Sequence, residues 1–305
     1  MTPTRQGSIR LLRVAGIDLY LHWSWFIVAY MSVQWRAGQY SSILWNVLEY
    51  LSLFFIVMLH EFGHAFACRQ VGGTANQIVL WPLGGVAYVS PPQRPGAMLW
   101  SIAAGPLVNV VLFPILTVAF LLVRSWGWPA DMTNGYVWIR SLWYINGLLL
   151  AFNLLPVYPL DGGQILRTLL WFAVGRAKSL MVASIVGFAG VAVLIGLALW
   201  VRDPWLGVLC VFILLNCWGG LMQARALARL ARLPRQLGYA CPSCRTAPPA
   251  GEFWVCGKCN IRFNTFATGA ACPQCGEQFP VTRCLDCGAQ HSMGEWVLTP
   301  PLPNS

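Results

Sequence analysis

His60, Glu61 and His64 stand in the pattern His-Glu-x-x-His. On a helix, residues four apart lie one turn above one another, so both imidazoles project from one face and can hold a single zinc ion. Glu61 flanks that face, where a carboxylate can take a proton from an attacking water and return it to a leaving amine. A second pattern lies far downstream, in four Cys-x-x-Cys pairs. Each pair offers two thiolates from a tight turn, and two pairs complete a tetrahedral four-thiolate site. Eleven residues separate the first two pairs and eight the last two. These spacings favour sequential pairing, with Cys241, Cys244, Cys256 and Cys259 around one structural zinc and Cys272, Cys275, Cys284 and Cys287 around another. Crossed pairing of the four turns is the alternative.

The elements that position these residues follow from composition. The chain has 305 residues, of which 57% are hydrophobic and 10% charged, with a mean hydropathy of +0.59. That balance excludes an ordinary water-soluble globular protein. A helix crossing a bilayer core needs about 20 consecutive apolar residues. Apolar runs at 19–35, 43–68, 98–123, 141–160, 179–201 and 204–224 give six expected spans. The first holds only His22 as an ionisable group, whereas the second is interrupted by Glu49, His60, Glu61 and His64. Ionisable side chains inside a span are costly and usually mark function. With the N-terminus inside, twelve Lys and Arg fall on inner segments against four on outer ones, so both termini are expected in the cytoplasm. No cleavable signal peptide is expected. The net charge of +10 then reads as topology and headgroup contact. A cytoplasmic tail disfavours disulfides among its cysteines; rubredoxin-like iron is the other competitor for zinc. Cys68, Cys210 and Cys217 read as packing residues.

A catalytic zinc usually has three protein ligands. No Asp or Glu lies between Glu61 and Asp131. Asp131 and Asp203 fall in expected outer loops, Asp18 lies at the mouth of the first span, and Glu49 is about 16 Å up the helix from His60. Asp161 remains. It follows Asn153-Leu-Leu-Pro156-Val-Tyr-Pro159-Leu, where two prolines interrupt the helix, which is tolerated at membrane depth only beside protein or a wet cavity. Its other reading is a helix N-cap. Asn109, Asn146 and Asn153 are polar groups within spans that hydrogen-bond between helices, unless Asn109 or Asn153 contacts substrate.

Four ordered signatures, His60-Glu61-Phe62-Gly63-His64, Pro82-Leu83-Gly84-Gly85, Ala104-Gly105-Pro106-Leu107-Val108-Asn109 and Asn153 through Gly163, together resemble the site-2 protease family of intramembrane zinc metalloproteases. The resemblance covers roughly residues 15–225. It implies that His60, His64 and Asp161 hold the catalytic zinc, that Glu61 is the general base, and that Asn153 steadies unwound substrate near the metal. Around Leu80–Val86 it implies a membrane-associated hairpin whose edge pairs with extended substrate, Gly84 and Gly85 permitting close backbone approach. No inserted PDZ domain is visible, as in a compact six-span form.

The expected architecture is therefore an all-α polytopic membrane protein with about six transmembrane helices and a small β-hairpin, followed by a zinc-ribbon region. Its divisions are 1–225 for the membrane domain, 226–240 for a basic linker, 241–290 for two zinc ribbons and 291–305 for a disordered tail. The expected function is zinc-dependent cleavage of a transmembrane segment in a bacterial inner membrane, with one catalytic and two structural Zn2+. The rivals are a zinc transporter or metal sensor and an inactive membrane chaperone. Partners are the membrane-protein substrate, lipid and a protein docking on the tail. The tail's basic residues Arg245, Lys258, Arg262 and Arg283 are balanced by acids, which argues against nucleic acid.

Overall fold

The computed structural model describes residues 7–36, 38–81, 84–126, 133–202 and 204–298. Pro82, Leu83, Asp131, Asp203 and residues 299–305, all invoked above, lie outside these. The chain divides into two compact units, one of residues 1–175 and 182–220, the other of 176–181 and 221–305.

The first unit is mostly helical with one small sheet. Strands β1 (Ser8–Val14), β2 (Ile17–His22), β3 (Thr74–Trp81) and β4 (Gly84–Ser90) form it in that order. β1 and β2 make a hairpin, β2 runs parallel to β3, and β3 and β4 pair antiparallel. The expected hairpin is thus half of a four-stranded sheet, with β4 at one edge. The expected first span needs correction here. Residues 17–22 alternate in burial as a strand does, with Ile17 and Leu19 fully buried, and Asp18 pairs with Arg10 across the hairpin at 2.7 Å. The helix that follows, α1 (Ser24–Trp35), has 12 residues, about 18 Å, which is short of a bilayer core.

The long helices are α2 (Ile43–Gln70), α3 (Pro95–Ser125), α4 (Asn134–Leu154), α5 (Asp161–Val174), α6 (Arg176–Val201) and α7 (Pro204–Ala231). Among the described residues four stretches are long and apolar enough to cross a membrane: Ile43–Gln70, Pro95–Ser125, Arg176–Val201 and Leu206–Ala231. No more than a third of any of these most apolar windows is buried within the protein. Outward side chains such as Leu44, Val193 and Leu199 are about three-quarters exposed. Such surface demands lipid; this is a membrane protein. The span expected at 141–160 is instead α4, ending at Leu154, then a turn, because Pro156 and Pro159 cannot continue the hydrogen-bond ladder. Val157 anchors that turn in a cluster with Val191 of α6 and Cys210, Ile213 and Cys217 of α7.

In the second unit α7 runs on to Ala231, so much of the expected linker is helix. Beyond it lie two-stranded ladders β5 (Trp254–Val255) with β6 (Arg262–Phe263) and β7 (Thr282–Arg283) with β8 (Gln290–His291), then the short helix α8 (Met293–Trp296). Trp296 is 1% exposed and packs with Phe266 and the cysteine turns. Residues 291–298, expected as part of a disordered tail, are therefore regular structure anchored in this unit by buried Trp296.

Candidate active site

α2 places His60, Glu61 and His64 in the interior, all less than a tenth exposed. The turn after α4 delivers Asp161 as the first residue of α5, with Leu160 rather than Asp161 as the N-cap. His60 Nε2 lies 3.1 Å from Asp161 Oδ2, His64 Nε2 lies 3.4 Å from the same oxygen, and the two Nε2 atoms are 3.2 Å apart. Ligands at 2.0–2.1 Å from a tetrahedral zinc sit about 3.3–3.4 Å from each other. The three atoms form one face of such a tetrahedron.

Tautomers sharpen the point. His64 Nδ1 is 2.8 Å from the Ser101 carbonyl oxygen, which can only accept, so Nδ1 carries the hydrogen. His60 Nδ1 is 2.6 Å from Asn109 Oδ1 and donates likewise. In their neutral forms both Nε2 atoms are then bare lone pairs, and they converge with a carboxylate oxygen. Three acceptors facing one point are satisfied by a cation. The donor set fits zinc.

Close approach is allowed by two glycines. A Cβ on Gly105 would stand 2.2 Å from His64 Nε2, and one on Gly85 would stand 2.2 Å from Glu61 Cγ. Glu61 Oε2 accepts a 3.1 Å hydrogen bond from the Ala87 backbone N–H of β4. Strand β4 thus touches the acid that the sequence nominated as a base. Gly84 opens that strand opposite Trp81. Asn153 is half-buried near the end of α4, and its side chain makes no hydrogen bond among the described residues.

Asn109 sits differently from the substrate-contacting role weighed for it. It is fully buried behind His60, and its Nδ2 donates to Asn146 Oδ1 at 2.9 Å. The signal for this pair was present as two amides inside spans, but only the fold shows that one faces His60. Glu49, set aside as too far along the helix, is engaged instead by Arg36 and Tyr40.

In the tail, the eight thiols gather in two groups, Cys241, Cys244, Cys284 and Cys287, and Cys256, Cys259, Cys272 and Cys275. The sequential pairing is overturned: the first and last turns share one site, and the middle two nest inside it. Sulfur separations run from 3.5 to 3.8 Å, the edge length of a tetrahedron with Zn–S near 2.3 Å, about 3.8 Å. The cause is backbone pairing of the chain's far end. Ala240 N–H donates to the Trp296 carbonyl and Leu298 N–H to that of Gly238, which draws Cys284 and Cys287 to Cys241 and Cys244. Phe263 and Phe266 are buried and stand in the core of the unit.

The description "Peptidase family M50" matches residues 49–143 and 130–197. The curated protein Zinc metalloprotease MJ0392 of Methanocaldococcus jannaschii is 35% identical over 180 residues, 59% of this chain and 50% of that protein. The chain thus spans about half the length of this relative. A solved structure, "Site-2 Protease from Methanocaldococcus jannaschii", matches at 26% identity over 70% of this chain and 95% of its own, with a TM-score of 0.49. The segment from Glu49 to Leu197, which holds His60, Glu61, His64 and Asp161, is the part of the chain that matches peptidase family M50.

Proposed function

We propose that this protein is an intramembrane zinc endopeptidase that hydrolyses a peptide bond in a transmembrane segment of another membrane protein. The observation that carries the reading is the convergence of two unprotonated Nε2 atoms and one carboxylate oxygen on a point inside the helical unit. His60, His64 and Asp161 would hold the zinc. When bound, the ion supplies Lewis-acid polarisation of the scissile carbonyl and makes water acidic enough to attack at neutral pH.

The remaining work falls to this chain's own groups. Glu61 accepts the proton of the attacking water, the water oxygen bonds to the carbonyl carbon, and Glu61 returns the proton to the amide nitrogen as the C–N bond breaks. A helical peptide bond is shielded by its own hydrogen bonds, so cleavage requires local unwinding. The edge of β4 offers pairing to the freed backbone, and Asn153 offers a free amide near the metal. Gly84 and Gly85 let an extended chain lie close. The site opens to water from the cytoplasmic side, with both termini there and the protein in a bacterial inner membrane. The tail holds two further zinc ions and serves as a docking unit for a protein partner.

Glu61→Gln tests this. The variant is expected to keep its zinc while membrane-protein fragments found in cells with the parent protein disappear. Unchanged fragments would remove the enzyme reading and leave the transporter, sensor or chaperone.

A further inference from the structure

The interior of the first unit holds a chain of amide contacts that ends on the metal-binding face. Its fixed point is the main-chain carbonyl of Asn109, which can only accept. Asn146 Nδ2 donates to that oxygen at 3.1 Å, so Asn146 Oδ1 must face the other way. There it accepts from Asn109 Nδ2 at 2.9 Å, which in turn leaves Asn109 Oδ1 aimed at His60 Nδ1, 2.6 Å away. Both asparagines are fully buried, out of reach of bulk solvent.

We propose that Asn146 and Asn109 are positioning residues that fix the tautomer and ring orientation of His60, keeping its Nε2 lone pair on the metal site. The three residues stand on three different helices, α4, α3 and α2, so the histidine's chemistry is set by the packing of the bundle. An imidazole rotating freely in a buried site would present Nε2–H to the metal part of the time, or tilt away from it. Orienting partners of this kind typically govern metal affinity by 10–100-fold. Ser101 serves His64 through a main-chain oxygen that no side-chain substitution removes, so His60 is the ligand whose orientation mutation can reach.

The inference rests on the metal-site reading proposed above, and zinc retention by the full-length protein in detergent separates the two. Zinc per chain is measured after equilibration with a graded series of zinc buffers, the site being identified as the ion lost in His60→Ala. Asn109→Leu is expected to lower affinity for that ion 10–100-fold. Asn109→Asp keeps an acceptor facing Nδ1 and is expected to hold zinc at least as tightly as the parent. A carboxylate accepts through either oxygen and needs no partner to orient it. Asn146→Leu should therefore weaken zinc binding in the parent background and have no effect in the Asn109→Asp background, a non-additivity that a merely structural role would not produce. Equal loss from Asn146→Leu in both backgrounds, or zinc affinity unchanged in Asn109→Leu, would overturn the proposal. A His60→Ala protein holding as much zinc as the parent would instead remove the metal site itself.

Discussion

The membrane unit and the tail both gather metal-binding side chains, but they do so by opposite routes. In the membrane unit the helices α2, α3, α4 and α5 pack against one another, and three candidate ligands from two of them meet where the packing puts them. Remove the ion and extensive helix contacts remain. The tail has two-residue strands and one four-residue helix, and its clusters are largely cysteine turns with a few aromatics. So small a core cannot offset chain entropy alone. A bound zinc would be a guest of the first unit and the framework of the second.

The largest expected effect tests that contrast. Stripping zinc from the full-length protein should unfold the tail, losing about 10–16 kcal/mol of binding-coupled stability per site. The membrane helices should keep their helical circular dichroism, while a tail-specific readout such as proteolysis between residues 240 and 298 changes. Equal loss in both units would erase the contrast. Next in size is the loss of one tail site. Replacing Cys241 and Cys284 together by Ser should cost one zinc per chain, since they share a site, whereas replacing Cys241 and Cys256 should cost two. Sequential pairing predicts the reverse, so metal analysis decides between them.

Glu61→Gln comes third, with a loss of roughly 10²–10⁴ in turnover and three zinc ions retained. Acidification should separate the units again. Backbone N–H groups of Cys259 and Lys258 hold the Cys256 thiol down at about 6, and the hydrogen bond from Cys284 holds Cys244 at about 4. An ordinary thiol titrates near 8.5. Folded values below the unfolded one mean that the contribution of these two thiolates is full above about pH 8.5 and is lost as pH falls through 6 toward 4, while their partners Cys259 and Cys284 are pushed up and contribute with the opposite sign at higher pH. Zinc release followed across that window should report tail thiols; constant zinc content down to pH 4 would contradict it. The smallest expected effect is that of Gly105→Ala, which presses a methyl on His64 at a cost of about 1–3 kcal/mol, read as weaker retention of the catalytic zinc with the tail ions unchanged.

Much of this was legible before the fold was known. His60 and His64 lie one helical turn apart, so their shared face follows from spacing alone. Asp161 emerged from scarcity, because a chain with few acids leaves few candidates for a third ligand. The first span was misread because hydropathy records apolar content and not period: residues 17–22 alternate like a strand, and the run was counted as helix. The tail's eight clustered cysteines were all singled out, yet their grouping was not, because loop length between neighbouring turns says nothing about a backbone pairing contributed from residues 296–298. Trp296 showed no sequence sign of burial; its ring partner Phe266 lies 30 residues earlier along the chain.

Local spacing along the chain determined which atoms could bind metal, since helix pitch and a two-residue gap between cysteines are short-range geometry. Tertiary structure decided which of them meet, which face of Asn109 looks at His60, and which thiols share an ion. Those outcomes depend on contacts between segments tens of residues apart, where packing and backbone pairing choose among arrangements that the linear order leaves equal.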